Sequence, residues 1–128
     1  MSLKNIAVEG CTLQFQNGGT GTITITSGQT SQKVKADGKA VYKTLNFTIS
    51  GYTGQAITVS GSGSGSGSIN ATAQHVKVEG QPVFLEGDQS ATITINGLQP
   101  APGGGTTSAT ATEIVKITNA GQSKAKGA

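Results

Sequence analysis

Gln74–Phe84 reads QHVKVEGQPVF, and Gln32–Tyr42 reads QKVKADGKAVY. The two align without a gap at an offset of 42 residues. Glutamine, valine and lysine recur, followed by an acid–glycine pair, a small residue or proline, and a valine–aromatic pair. A shorter copy comes first: Ile6–Leu13, IAVEGCTL, aligns with Val34–Val41 at an offset of 28, which sets Glu9-Gly10 over Asp37-Gly38. An acid–glycine pair between short apolar arms is a hairpin signal, because glycine adopts positive φ at no steric cost; Asp-Gly is the stronger form and Glu-Gly the weaker. One hairpin is marginal in water, so repeated hairpins must bury their apolar faces on one another. The expectation is three units, at about 5–28, 32–51 and 74–97, with turns at Glu9, Gly10, Asp37, Gly38, Glu79 and Gly80. Gathered about a pseudo-threefold axis, they would form a small cone. The alternative is a β-sandwich in which two hairpins share turn chemistry.

Each copy runs into a longer stretch with a period of two. TITIT (22–26), LNFTI (45–49) and ATITI (91–95) alternate β-branched or aromatic residues with polar ones, as half-buried strands do. AITVS (56–60) and IVKIT (114–118) read as further strands. Turn signals follow them: SG at 27–28 and 50–51, NG at 96–97 and NAG at 119–121. No window of helical length carries an i, i+3, i+4, i+7 apolar stripe. Gly, Thr and Ser number 20, 18 and 12 of the 128 residues, and all three are weak helix formers. The fold class is all-β.

Composition narrows the classes further. Charged residues make up only 12% of the chain and hydrophobics 34%, a poor fit to ordinary disorder, which is rich in charge. The net charge of +3 comes from nine lysines and six acids; without Lys116, Lys124 and Lys126 the chain is neutral. No basic stripe with arginine or stacking aromatics points to nucleic acid. Residues 44–74 carry no charge, but their Gly, Ser and Thr content does not make a membrane span. The first ten residues lack an apolar run of signal-peptide length, so cytoplasmic synthesis is expected, with any export by a route that needs no leader. Domain organisation reads as a repeat domain over 1–99, with a flexible Gly/Ser loop at 60–68. A Pro/Gly linker at 100–107, a C-terminal strand or arm and a disordered basic tail at 121–128 complete it.

VKVEGQPVFLEGD (76–88) resembles the PAAR-like proteins, the spike tips of contractile injection machines. The features that carry the likeness are Glu79-Gly80, Pro82-Val83 and Gly87-Asp88. Asp37-Gly38 and Ala40-Val41 match them in the second unit, which lacks the Gly-Asp ending. The resemblance covers about 5–97. It implies a cone whose base sits on a trimeric β-helical spike protein (VgrG-like or a tail spike), one copy per trimer. Its apex would make transient contact with the target envelope. It also implies work in type VI secretion or phage-like tails, with effector cargo possible on extensions. Members often hold zinc through histidines and a cysteine. This chain offers only Cys11 and His75, at positions that the repeat does not make equivalent, so the usual ligand set is missing and no cofactor is expected. Tyr42 and Phe84 are the candidate anchors for the spike, with core packing as the competing role.

Enzyme chemistry finds little foothold. The three turn acids would be spread around the axis rather than paired. Glu86 and Asp88 could share a strand face and perturb each other. One histidine and one cysteine stand without a nucleophile-elbow motif. GGTGT (18–22) and GGGTT (103–107) lack the lysine of a phosphate loop. No catalytic residue is assigned. The expected role is structural, a spike tip, against a binding or adhesion module of a surface assembly.

Overall fold

The computed structural model describes residues 3–26 and 30–127, with backbone alone at 31–33; the Ser27-Gly28 turn expected to close the first unit lies outside the described residues. The strands, in chain order, are β1 (Lys4–Asn5), β2 (Thr12–Phe15), β3 (Thr20–Ile25), β4 (Thr30–Ala36), β5 (Lys39–Tyr42), β6 (Asn46–Thr53) and β7 (Gly63–Ser68). They continue as β8 (Lys77–Val78), β9 (Gln81–Pro82), β10 (Ile93–Pro100), β11 (Thr106–Glu113), β12 (Val115–Asn119) and β13 (Lys126–Gly127). The chain is all-β: no helix occurs among the described residues, so none there is long and apolar enough to cross a membrane.

A five-stranded antiparallel sheet, in the order β11-β10-β7-β6-β3, is the largest sheet among the described residues. All three Thr/Ile strands that follow the repeat units, β3, β6 and β10, lie in it. Their alternation is as the sequence predicts. Ile23, Ile25, Phe47, Ile49, Ile93 and Ile95 turn inward, while Thr22, Thr24, Thr48, Ser50 and Thr94 face solvent. The inner face packs against the β2–β12 pair through Leu13, Phe15, Val115 and Ile117. Phe15 meets Tyr52 edge to face at 5.2 Å between ring centres and 79° between planes, the favoured geometry for two rings.

Residues 60–68 are not a flexible loop. Gly63–Ser68 is β7, paired with β6 through Phe47↔Gly67, Thr48↔Ser66 and Ile49↔Gly65, and with β10 at Asn96↔Ser64. Glycines alternate inward and serines outward. The inward row is bare because its neighbours fill the space. A Cβ on Gly67 would sit 2.9 Å from Phe47 Cζ and 3.0 Å from Ile93 Cγ2. One on Gly63 would sit 2.9 Å from the Tyr52 carbonyl oxygen. The large side chains of β6 and β10 thus lean over the central strand and close above it.

Two of the turn readings fail for a related reason. Asn96-Gly97 does not end a strand; β10 runs on to Pro100, and a Cβ at Gly97 would meet Ile57 Cγ2 at 2.6 Å. Ser50-Gly51 marks a bulge in β6, with Gly51 at φ 64°, rather than its end. AITVS is no strand. Gly54 and Ile57 form a tight bridge that drives fully buried Ile57 over Gly97.

The C-terminal quarter is folded through residue 127. Residues 101–105 are the loop of the β10–β11 hairpin, in register from Ile93↔Glu113 to Pro100↔Thr106, and not a linker. β12 pairs with β2 and β13 with β1. The tail expected to be disordered is pinned by Gln122. Its Nε2 donates to Ile6 O at 2.7 Å and Ala125 O at 2.8 Å, and its Oε1 accepts from the Lys124 and Ala125 amides at 2.7 and 2.8 Å.

The glycine row predicts opposite responses on the two faces of β7. Gly63→Ala should cost about 1–3 kcal/mol in urea denaturation through overpacking. Ser66→Thr, on the outer face, should stay within about 0.5 kcal/mol of the parent. A flexible tether would tolerate both equally.

Candidate functional site

The acid–glycine turns lie at the end of the molecule where a second, smaller apolar cluster forms. Ile6, Val8, Ala36, Val41, Ala73, Val78, Val83 and Leu85 make it up, with Val76 and Ala125 against it. Repeat-equivalent residues meet there: Val8, Ala36 and Val78, each just before its acid–glycine pair, and Val41 with Val83. The equivalence is partial. Leu13, which aligns with Val41 and Val83, joins the main core, and Val34, which aligns with Ile6 and Val76, is 42% exposed.

Asp37-Gly38 and Glu79-Gly80 form two-residue turns with both residues at positive φ: 53° and 76° in one, 48° and 85° in the other. These close the β4–β5 and β8–β9 hairpins. The first copy departs from the expected hairpin. Only Gly10 takes positive φ, the Cys11 amide donates to Val8 O at 3.0 Å, and the two arms part to pair with C-terminal strands. Residues 6–9 instead thread between the other two units. Val8 bridges Val41, with the Glu9 amide donating to Ala40 O at 3.0 Å. Ile6 bridges Leu85, with the Ala7 amide donating to Phe84 O at 2.8 Å.

Two of the turn acids, Asp37 and Glu79, engage lysines. Lys43 lies 3.8 Å from Glu79, joining the second unit to the third, and Lys124 lies 3.5 Å from Asp37. The Lys124 pair is exposed and the Lys43 pair half-buried; ion pairs open to solvent contribute about 0–1 kcal/mol each, so they tune the end rather than hold it.

Tyr42 and Phe84 are 7% and 5% exposed and belong to the main core, which leaves their rings unable to anchor a partner. Burial raises the Tyr42 phenol above its ordinary range, with Cys11 and Glu9 adding to the shift. Cys11 packs half-buried against the same core, and burial pushes its thiol up to about 11. His75 is exposed in a bend. No group of three or more His, Cys, Asp or Glu side chains gathers among the described residues.

Two acids do their work inside. Asp88 is 3% exposed, and its carboxylate accepts from the Leu85 amide at 2.9 Å, the Thr72 amide at 3.2 Å and the Thr72 hydroxyl. Glu86 does not share its face and accepts from the Ala120 amide at 3.1 Å. The Gly87-Asp88 ending is thus a staple that joins the third unit to residue 72. Glu113 is fully buried. It accepts from the Asn17 amide at 2.8 Å, the Gly19 amide at 3.0 Å and the Tyr52 hydroxyl at 2.6 Å. Three donors match an acceptor-only carboxylate, as a buried charge requires. Burial and the carboxylate both drive the Tyr52 phenol well above its ordinary range. Sequence reasoning missed this knot because its members lie far apart in the chain, at 17–19, 52 and 113. Its one local sign was a lone acid in an otherwise uncharged strand.

Comparison with known proteins finds no family model that matches this chain, and no similar curated protein or solved structure.

Removing the Glu113 carboxylate strands two amides and a hydroxyl. Glu113→Ala should therefore lower unfolding stability by about 3 kcal/mol in urea, and Glu113→Gln by less. Alkali should act first through Cys11, with the raised Tyr42 and Tyr52 phenols adding to the loss above pH 10. Its folded value of about 11 lies above its ordinary 9.0, so the stability it contributes is fully present below pH 9 and lost as pH rises toward 11. Denaturation midpoints at pH 8, 9.5 and 11 should fall in that order, with alkylation of the native thiol slow at pH 8.

Proposed function

We propose that this chain is a structural tip of the PAAR-like kind, capping a trimeric β-helical spike of a contractile injection apparatus with one copy per trimer. The observation that carries this reading is the small apolar cluster. Residues before three related turns converge there, and the first copy is clasped between the other two. A trimer end presents three equivalent surfaces, and a single chain with three related units can answer each with one of them. With Tyr42 and Phe84 in the core, Leu3 and Val34, 62% and 42% exposed, are the exposed large apolar side chains outside the five-stranded sheet among the described residues. The chain would be made in the cytoplasm, loaded on the particle and delivered with it, touching the envelope only in passage. The reading assigns it no catalysis and needs no metal.

The alternative, a β-sandwich binding module of a surface assembly, draws on one observation as well. The five-stranded sheet and the β2–β12 pair form two packed layers over the larger core. Native mass spectrometry of the chain mixed with a trimeric β-helical spike protein separates the two. The tip reading expects a complex of one chain with three spike subunits. Three chains per trimer, or no complex, would refute it in favour of the module.

A further inference from the structure

β11 is a sheet edge, and its backbone polarity can be read from its neighbours. The Thr112 amide donates to Gln55 Oε1 at 3.1 Å, and its carbonyl accepts from Gln55 Nε2 at 2.6 Å and Asn17 Nδ2 at 3.1 Å. Both groups of Thr112 therefore point away from β10. In an antiparallel pair this alternates with a period of two, so the amides and carbonyls of Thr110, Ser108 and Thr106 point the same way. β10 gives the same phase independently. Leu98, opposite Ser108, directs its amide to Ser62 Oγ at 3.0 Å and its carbonyl to the Val59 amide at 3.1 Å, away from β11. Asn96, opposite Thr110, pairs with Ser64 on β7.

Thr106, Ser108 and Thr110 thus hold an open row of strand donors and acceptors, and all three residues are exposed. The row is bounded at one end by the glycine loop at 103–105. At the other end Gln55, held at φ 51°, imitates a strand partner with its side-chain amide and closes the edge at Thr112. Proteins usually guard such edges with lysine, proline or a bulge. β11 has none of these. Its only charge, Glu113, is buried, and every other charged residue of the chain lies outside the five sheet strands.

We propose that this edge is a self-association surface, on which a second copy of the chain pairs antiparallel about a two-fold axis through Ser108. The choice of occupant follows from symmetry and charge. A copy rotated about Ser108 sets Ser108 against Ser108 and Thr106 against Thr110. All three facing pairs are of the hydrogen-bonded type, giving about six bonds. Both strands are neutral, so identical surfaces meet without repulsion, and two five-stranded sheets become one continuous sheet. Three paired residues per copy bury less than a stable interface requires, so the dimer is weak and concentration-dependent. The surface is distinct from the acid–glycine turns and does not depend on the tip reading.

Sedimentation velocity over a wide concentration range, with two variants, tests this. Proline is tolerated in an edge strand where its nitrogen would face solvent. Ser108→Pro should therefore fold with circular dichroism like the parent's and weaken dimerisation at least about tenfold. Ser108→Lys, which leaves the backbone intact and sets like charges opposite one another, should do the same. The proposal is overturned if the parent chain stays monomeric at millimolar concentration, or if both variants associate like the parent. It is equally overturned if Ser108→Pro unfolds while Ser108→Lys folds, because the Ser108 amide would then be bonded within the monomer.

Discussion

The space above the central strand of the large sheet is the constraint on which the structure depends. Adjacent strands lie about 4.8 Å apart, and here the side chains of β6 and β10 reach over the strand between them, leaving no room for a third row of side chains on β7. β6 brings Phe47, Ile49 and Tyr52, and β10 brings Ile93 and Ile95. β7 between them brings hydrogen atoms, and the flanking rows close over its glycines. Gly97 extends the same solution by making room for Ile57. Glycine ordinarily weakens a strand through backbone entropy; here that cost is offset by burial of the side chains that occupy the vacated space.

Around this sheet the chain is closed by polar ties that bridge long sequence separations. Glu113 fastens the end of the β10–β11 hairpin to the 17–19 turn and to Tyr52. Asp88 fastens the third unit to Thr72, and Gln122 fastens the C-terminal segment to Ile6. Each is a buried polar side chain meeting several partners, the condition under which such a group stabilises instead of costing. The ties give a thin core, poor in aromatics, a defined three-dimensional closure.

The molecule divides its surface by charge. Every charged residue but Glu113 belongs to the hairpin end, to β2–β12 and the adjoining segments, or to the C-terminal segment. The outer face of the five-stranded sheet shows threonine, serine and asparagine, with Leu98 and Pro100 at one end of β10.

Much of the strand content was legible because alternation reports burial directly. TITIT, LNFTI and ATITI are strands with the predicted inward faces, and Asp37-Gly38 and Glu79-Gly80 are the predicted turns. SGSGSGSGS looks like a coil because local propensity judges glycine by its own freedom, and nothing local tells that Phe47 and Ile93 will cover it. Tyr42 and Phe84 fit either a partner or the core in sequence, because an aromatic at a strand end looks alike whether core or solvent lies beyond; the fold puts both in the core. The first acid–glycine pair kept its turn but not its hairpin, since strands nearly a whole chain away, β12 and β13, claimed both its arms. Local pattern alone determined the all-β class, the alternating faces and two of the turns, because each is set by residues within a few positions of one another. Tertiary structure alone decided which strands pair, which glycines are compressed and which acids are buried, because these depend on side chains that meet only after the chain has closed.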